Sequence, residues 1–196
     1  MGEGEKIEEI VIKELKESAD IKKKIAQDLP EKIVSAIEMI INSYRSGGKV
    51  LLIGNGGSAS DAQHIAAEFV GRFKLERKAL PAIALTTDTS ILTALSNDYG
   101  YETVFSRQLE ALGNEKDVLI AITTSGSSKN ILKAVDLAHK KNIKVIGLTG
   151  GGGGKLKKAA DITIVVPSKN TPRIQEAHIT IGHIICELVE EALFNE

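Results

Sequence analysis

From Lys49 onward, short unbroken apolar runs alternate with longer amphipathic stretches. KVLLIG (49–54), PAIAL (81–85), DVLIAI (117–122), IKVIGL (143–148) and DITIVV (161–166) are strand-length and lack polar alternation. That pattern predicts strands buried on both faces. Helices fit near 58–73, 101–112 and 128–141, and a last helix of about 20 residues begins near Pro172-Arg173. Strand and helix in alternation imply an α/β three-layer sandwich: a five-stranded parallel sheet with right-handed crossovers and helices on both faces. Ligands of such sheets bind beyond the carboxyl ends of the strands.

Residues 5 to 46 read as helix in two pieces, broken near Leu29-Pro30. Ile7, Ile10, Val11 and Leu15 form one apolar stripe, and Ile33, Ile37, Ile40 and Ile41 form another. Gly47-Gly48 ends the second piece. Both stripes precede the sheet and need burial, so residues 1–46 are expected to be a helical extension used in oligomerisation. Residues 86–102 (TTDTSILTALSNDYGYE) read as a loop, with Asn97-Asp98 at the end of a short helical turn. The run Gly150–Gly154 reads as a flexible turn in preference to a backbone that approaches a ligand.

The 196 residues fit one domain, 1–196, and 42% apolar residues suffice for a full core. A formal net charge of −1, with basic and acidic residues intermixed, argues against nucleic acid or an anionic membrane as partner. With 4% aromatics and no Trp, stacking is not expected to dominate binding. The single cysteine, Cys186, excludes an internal disulfide and a cysteine zinc site, and its apolar neighbours Ile184, Ile185 and Leu188 mark it as core. The acidic start MGEGEKIEEIVIKELKES is unlike a signal peptide, and no apolar run is long enough to span a membrane. A cytoplasmic protein is expected.

Two strand ends run into small-residue loops and then helices. In IGNGGSASDAQHIAAEF (53–69), Asn55-Gly56-Gly57-Ser58 offers free N–H groups and a hydroxyl at a helix start, a setting that suits an anion. Asp61 is expected in the first turn of that helix. An ordinary capped turn explains the same residues. In AITTSGSSKNILKA (121–134), Thr123, Thr124, Ser125, Ser127 and Ser128 surround Gly126, more hydroxyls than a cap needs. Such a nest suits a phosphate monoester. Neither loop matches a dinucleotide or Walker fingerprint. Asn97-Asp98 in the third loop reads equally well as turn or as site.

His64 and Glu68 stand four residues apart, on one helical face with Cβ atoms about 6 Å apart. The pair suits a divalent metal or proton transfer, and equally a surface ion pair. The last helix adds Gln175, His178 and His183. Gln175 and His183 lie about 12 Å apart along that helix, so they either flank one ion, serve separate roles or belong to different subunits. A His/Glu/His set with an amide oxygen suits Zn²⁺ or a similar borderline ion.

Taken together, GNGGSASDAQHIAAEFVGRF, LSNDYG, TTSGSS and RIQEAHITIGHIICELVE resemble the bacterial phosphoheptose isomerases, or sedoheptulose 7-phosphate isomerases, of the sugar-isomerase (SIS) fold group. The likeness covers nearly the whole chain, with the motifs in the family's order. It implies a flavodoxin-like SIS fold and conversion of sedoheptulose 7-phosphate to D-glycero-D-manno-heptose 7-phosphate, the first step towards nucleotide-activated heptoses. It also implies a homotetramer with active sites between subunits and one Zn²⁺ per subunit. By the resemblance, His64, Glu68, Gln175 and His183 are metal ligands, and Glu68 and His183 are the acid–base pair. Asn55, Gly56, Gly57, Glu68, Arg72, Asn97, Asp98, Thr123, Thr124, Ser125, Ser128 and Gln175 are implied to contact the sugar phosphate.

Two departures stand out. The loop often written Ser-Thr-Ser-Gly-Asn-Ser is here Thr123-Thr124-Ser125-Gly126-Ser127-Ser128, and Pro172 replaces an Asp of some members. Two other readings remain at this level. Relatives of the same fold group act as non-catalytic scaffolds that bind a replication-initiation protein, and are expected to lack the acid–base pair present here. Isomerisation of another sugar phosphate is the other, because such loops grip phosphate better than they count carbons.

Overall fold

The computed structural model describes residues 3–195; Met1, Gly2 and Glu196, inside the expected 1–196 domain, lie outside the described residues. Helices α1 (Glu3–Asp28) and α2 (Pro30–Arg45) lead into β1 (Val50–Ile53), α3 (Gly57–Val70) and β2 (Ala82–Ala84). Then come α4 (Thr89–Tyr99), a 3-10 turn (Tyr101–Thr103), α5 (Val104–Leu112), β3 (Val118–Thr123) and α6 (Lys129–Lys140). The chain closes with β4 (Lys144–Thr149), α7 (Leu156–Ala159), β5 (Ile162–Val165) and α8 (Thr171–Phe194). All five strands pair in parallel in the order β2-β1-β3-β4-β5. That is the doubly wound order with a switch point between β1 and β3, from which the crossovers leave in opposite directions.

Alternating strand residues feed two cores. Val50, Leu52, Val118, Ile120, Ile122, Ile146 and Leu148 pack with α2, α3 and α8. Leu51, Ile53, Leu119, Ala121 and Val145 pack with α5 and α6 on the other face. The three layers expected from the apolar runs are present, and every residue of β1 and β3 is buried.

Three expectations change, and the exposed stripe on α1 does not. The α2 stripe of Ile33, Ile37, Ile40 and Ile41 needs no partner subunit: it is buried against this chain's own sheet. The stripe of Ile7, Ile10, Val11 and Leu15 on α1 is exposed. Residues 89–99 form a full helix rather than a loop, capped by Asp88, whose carboxylate accepts the Ile91 N–H at 2.9 Å. Asp61 falls beyond the first turn of α3, which carries no acid. No helix among the described residues is long and apolar enough to cross a membrane.

Candidate active site

The loops after β1 and β3 meet across the switch point. Asn55 Nδ2 donates to Asn130 Oδ1 at 3.0 Å, and Asn130 Nδ2 donates back to Asn55 Oδ1 at 2.8 Å. The Tyr101 hydroxyl donates to the same Asn55 oxygen at 3.0 Å. Asn130 also accepts the Ile131 N–H at 2.9 Å, so this amide pair ties the start of α6 to the glycine loop. Sequence reasoning passed over Asn130 and Tyr101. A signal was present for the first: Asn130 is buried in line with Ile131, Ala134, Val135 and Ala138 on the apolar face of α6.

Gly56 adopts a left-handed φ of 54° at the start of α3. Gln175 packs directly on Gly57: a Cβ there would stand 2.3 Å from its Nε2, at the mobile end of that side chain. The structure therefore lays the Gln175 amide over the glycine loop, at the same end of the sheet as the hydroxyls. In the β3 loop, Thr123 is buried, and its Oγ1 lies 3.2 Å from Ser128 Oγ and 3.5 Å from Ser125 Oγ. Ser127 N–H points to Ser125 Oγ at 3.3 Å. Thr124 is half-buried and its carbonyl accepts the Gly150 N–H at 3.2 Å.

That bond belongs to a closer packing than a flexible turn provides. Gly151, Gly152, Gly153 and Gly154 all have positive φ. Gly126, itself left-handed, sits so near Gly153 that a Cβ would meet its carbonyl oxygen at 2.1 Å. Leu156 N–H closes the contact on the Gly126 carbonyl at 2.9 Å. The glycine run is a backbone platform beneath the hydroxyl loop.

Lower on α3 and α8 the titratable groups converge. His64 Nε2 lies 3.1 Å from Glu68 Oε1, as the i,i+4 spacing predicts, and 3.3 Å from His183 Nε2. Ligand atoms of all three lie within 4.8 Å of one another. Glycine again explains the approach: a Cβ on Gly182 would meet Ile65 Cδ1 at 2.6 Å, so α3 and α8 touch beside their histidines. The Phe73 ring lies against His183 with centroids 5.4 Å apart. His178, by contrast, points into the core. Burial pushes its imidazole down to about 4, with the Thr149 backbone acting weakly the other way, and neither ring nitrogen reaches a partner in hydrogen-bond geometry.

Asp61 is shifted too. Burial raises its carboxyl to about 6 against the pull of His64, and its Oδ2 has no partner.

The site has two poles in one chain. His64 and Glu68 lie roughly 10 and 16 Å along α3 from its start at Gly57, at 1.5 Å per residue. Arg72 lies past the end of α3, exposed, with Nε 3.4 Å from Glu76 Oε2. Asn97 and Asp98 are exposed on α4 and bonded to each other at 2.8 Å. Within this chain those three residues join neither the imidazole–carboxylate cluster nor the hydroxyl nest by any bond.

Residues 15–150 match the SIS domain model. A phosphoheptose isomerase of a Roseiflexus species is 54% identical over 186 residues, covering 95% of this chain and 94% of its own. That of Aquifex aeolicus is 56% identical, covering 93% and 96%. Among solved structures, phosphoheptose isomerase GmhA from Neisseria gonorrhoeae superposes with a TM-score of 0.90 at 44% identity, over 94% of this chain and 99% of that one. On its sheet order, its length and these similarities, the chain belongs to the phosphoheptose isomerase family of SIS-domain proteins.

Proposed function

We infer that this protein is a phosphoheptose isomerase, which interconverts sedoheptulose 7-phosphate and D-glycero-D-manno-heptose 7-phosphate. The observation that carries the reading is the meeting of Glu68, His64 and His183, from two helices, in a chain of this family. An aldose–ketose isomerisation must take a proton from C1, return one to C2 and stabilise the enediolate between. Glu68 is the base that removes the C1 proton and His183 is the partner acid, the two exchanging roles as the proton is returned at C2. The hydroxyl nest of Thr123, Thr124, Ser125 and Ser128, with the Asn55–Gly57 loop, holds the phosphate, and that binding energy positions C1 and C2. Gln175, over Gly57, joins the same contact set.

Two imidazole nitrogens and a carboxylate oxygen within 4.8 Å fit Zn²⁺. His64, Glu68 and His183 would hold it, and Gln175, which lies over Gly57 at the other pole of its own chain, would be the fourth ligand from a neighbouring subunit of the assembly. When bound, such an ion supplies charge stabilisation for the enediolate oxygens. The separation of the two poles in one chain, and the exposed stripe on α1, favour a homotetramer whose subunits complete one another's sites. Arg72, Asn97 and Asp98 would meet substrate in that assembly. The reading includes a cytoplasmic location. No observation favours the scaffold that binds a replication initiator.

The test is incubation with sedoheptulose 7-phosphate followed by NMR of the sugar, with and without a chelator. An aldose heptose phosphate should accumulate, and the chelator should suppress it. No turnover by metal-loaded protein, with capture of the initiator protein instead, would reverse the assignment.

A further inference from the structure

Beyond the site, α8 carries a second group aimed at α3. Glu190 follows His183 by two turns on the same face of the helix and is buried, 1% exposed. Its carboxylate accepts four hydrogen bonds from the segment that leaves α3. Oε2 accepts from Phe73 N at 2.9 Å and Arg77 Nε at 2.8 Å; Oε1 accepts from Lys74 N and Leu75 N, both at 2.7 Å.

Arg77 is equally enclosed, with 2% of its side chain exposed. It turns its remaining donors on the end of α3, where the last helical carbonyls have no partner within the helix. Nη2 donates to the Glu68 carbonyl at 2.9 Å, and Nη1 donates to the Phe69 and Lys78 carbonyls at 2.8 and 3.0 Å. The guanidinium also lies over the Phe194 ring, 5.6 Å from its centroid.

We propose that Arg77 and Glu190 are positioning residues for the isomerisation: a buried latch that fixes the Glu68 carboxylate and the His183 imidazole relative to each other. The inference rests on the isomerase reading above. One end of the latch is bonded to the backbone of Glu68 itself. The other sits on the helix stripe that carries His183, and the Phe73 backbone it holds places the ring that packs on that imidazole. A carboxylate must approach its carbon acid within hydrogen-bond reach, and a displacement of an ångström lowers turnover strongly. The phosphate loops hang from the ends of β1 and β3 and share no hydrogen bond with Arg77 or Glu190. A loosened latch should therefore slow the chemical step and leave substrate capture intact.

Arg77→Lys keeps the positive charge but cannot reach Glu190 and both α3 carbonyls together. Glu190→Asp keeps the carboxylate but shortens its reach. Each variant is assayed on sedoheptulose 7-phosphate beside the wild type, with turnover expressed per folded subunit from circular dichroism and melting curves. Expected is a fall in kcat of at least tenfold in either folded variant, with KM within about threefold of wild type. Wild-type kcat per folded subunit, a loss confined to KM, or failure of both variants to fold would overturn the inference and leave the pair purely structural. Absence of turnover in the wild type would instead overturn the isomerase reading.

Discussion

The Nε2 atoms of His64 and His183 face each other at 3.3 Å, one from each of two helices that touch at the neighbouring residues Ile65 and Gly182. Two imidazole nitrogens at that distance either share one proton or leave room for a cation between them, and the Glu68 oxygen 3.1 Å from His64 adds negative charge. A bound cation relieves the repulsion of two facing lone pairs. Purified protein should hold about one Zn²⁺ or similar ion per subunit by elemental analysis. His64→Gln or His183→Gln should weaken that binding by about 10-fold to 100-fold or more. Full turnover after exhaustive chelation would exclude the ion from the chemistry.

Glu68→Gln is nearly isosteric and leaves the Arg77 bond to the Glu68 carbonyl in place. The fold should persist while kcat falls by about 10²–10⁴, the usual contribution of a positioned base. Near-normal turnover in the stopped NMR assay would take Glu68 out of proton transfer.

Gly182→Ala adds a Cβ 2.6 Å from Cδ1 of Ile65, a residue that is 1% exposed. Overpacking there should cost about 1–3 kcal/mol in denaturant melts and separate the two histidines. Ile65→Val in the same chain should recover part of both losses. Additive effects of the two changes would show that this contact does not set the helix spacing.

Gly126→Ala faces a backbone obstacle, because its Cβ would lie 2.1 Å from the Gly153 carbonyl oxygen, and its φ of 65° disfavours any side chain. A cost of about 1–3 kcal/mol is expected, with a raised KM and a smaller change in kcat. Inorganic phosphate protection against proteolysis offers a second readout, and it should weaken in parallel.

Acid should destabilise the protein in two stages, the upper one opposed by Asp61, whose carboxyl, raised by burial to about 6, adds stability as pH falls from 6 towards 3.8. His178 is buried neutral, pushed down from 6.5 to about 4, so stability is complete above the unfolded value and drains as pH falls from 6.5 to 4. For Glu190, burial opposes ionisation, but the N–H groups of Leu75, Phe73 and Lys74 and the Arg77 guanidinium outweigh it and hold the carboxyl at about 2. Its contribution, up to about 3 kcal/mol, is present above pH 4.5 and is lost between 4.5 and 2. Urea melts from pH 7 to 2 measure both. His178→Leu should flatten the upper stage only.

Local pattern carried the sheet because strands covered on both faces are unbroken apolar runs, as Leu119, Ile120, Ala121 and Ile122 show. It missed α4 because that helix buries no residue, leaving only the Asp88 cap as a sign. It assigned the α2 stripe to a partner because periodicity reports that a face is covered and not by what. The pairing of His64 with Glu68 was readable from spacing alone, since helix geometry brings i and i+4 together without help.

The chain order of residues was enough for the parallel sheet, the two small-residue loops and the His64–Glu68 pair, all of which follow from periods a few residues long. Folding in three dimensions decided that His183 joins that pair while His178 is buried away from it, that Gln175 lies on Gly57, and that Arg77 meets Glu190 across 113 positions. Those contacts depend on how α3 and α8 pack, with Gly182 of one against Ile65 of the other, and packing between distant segments leaves no local repeat.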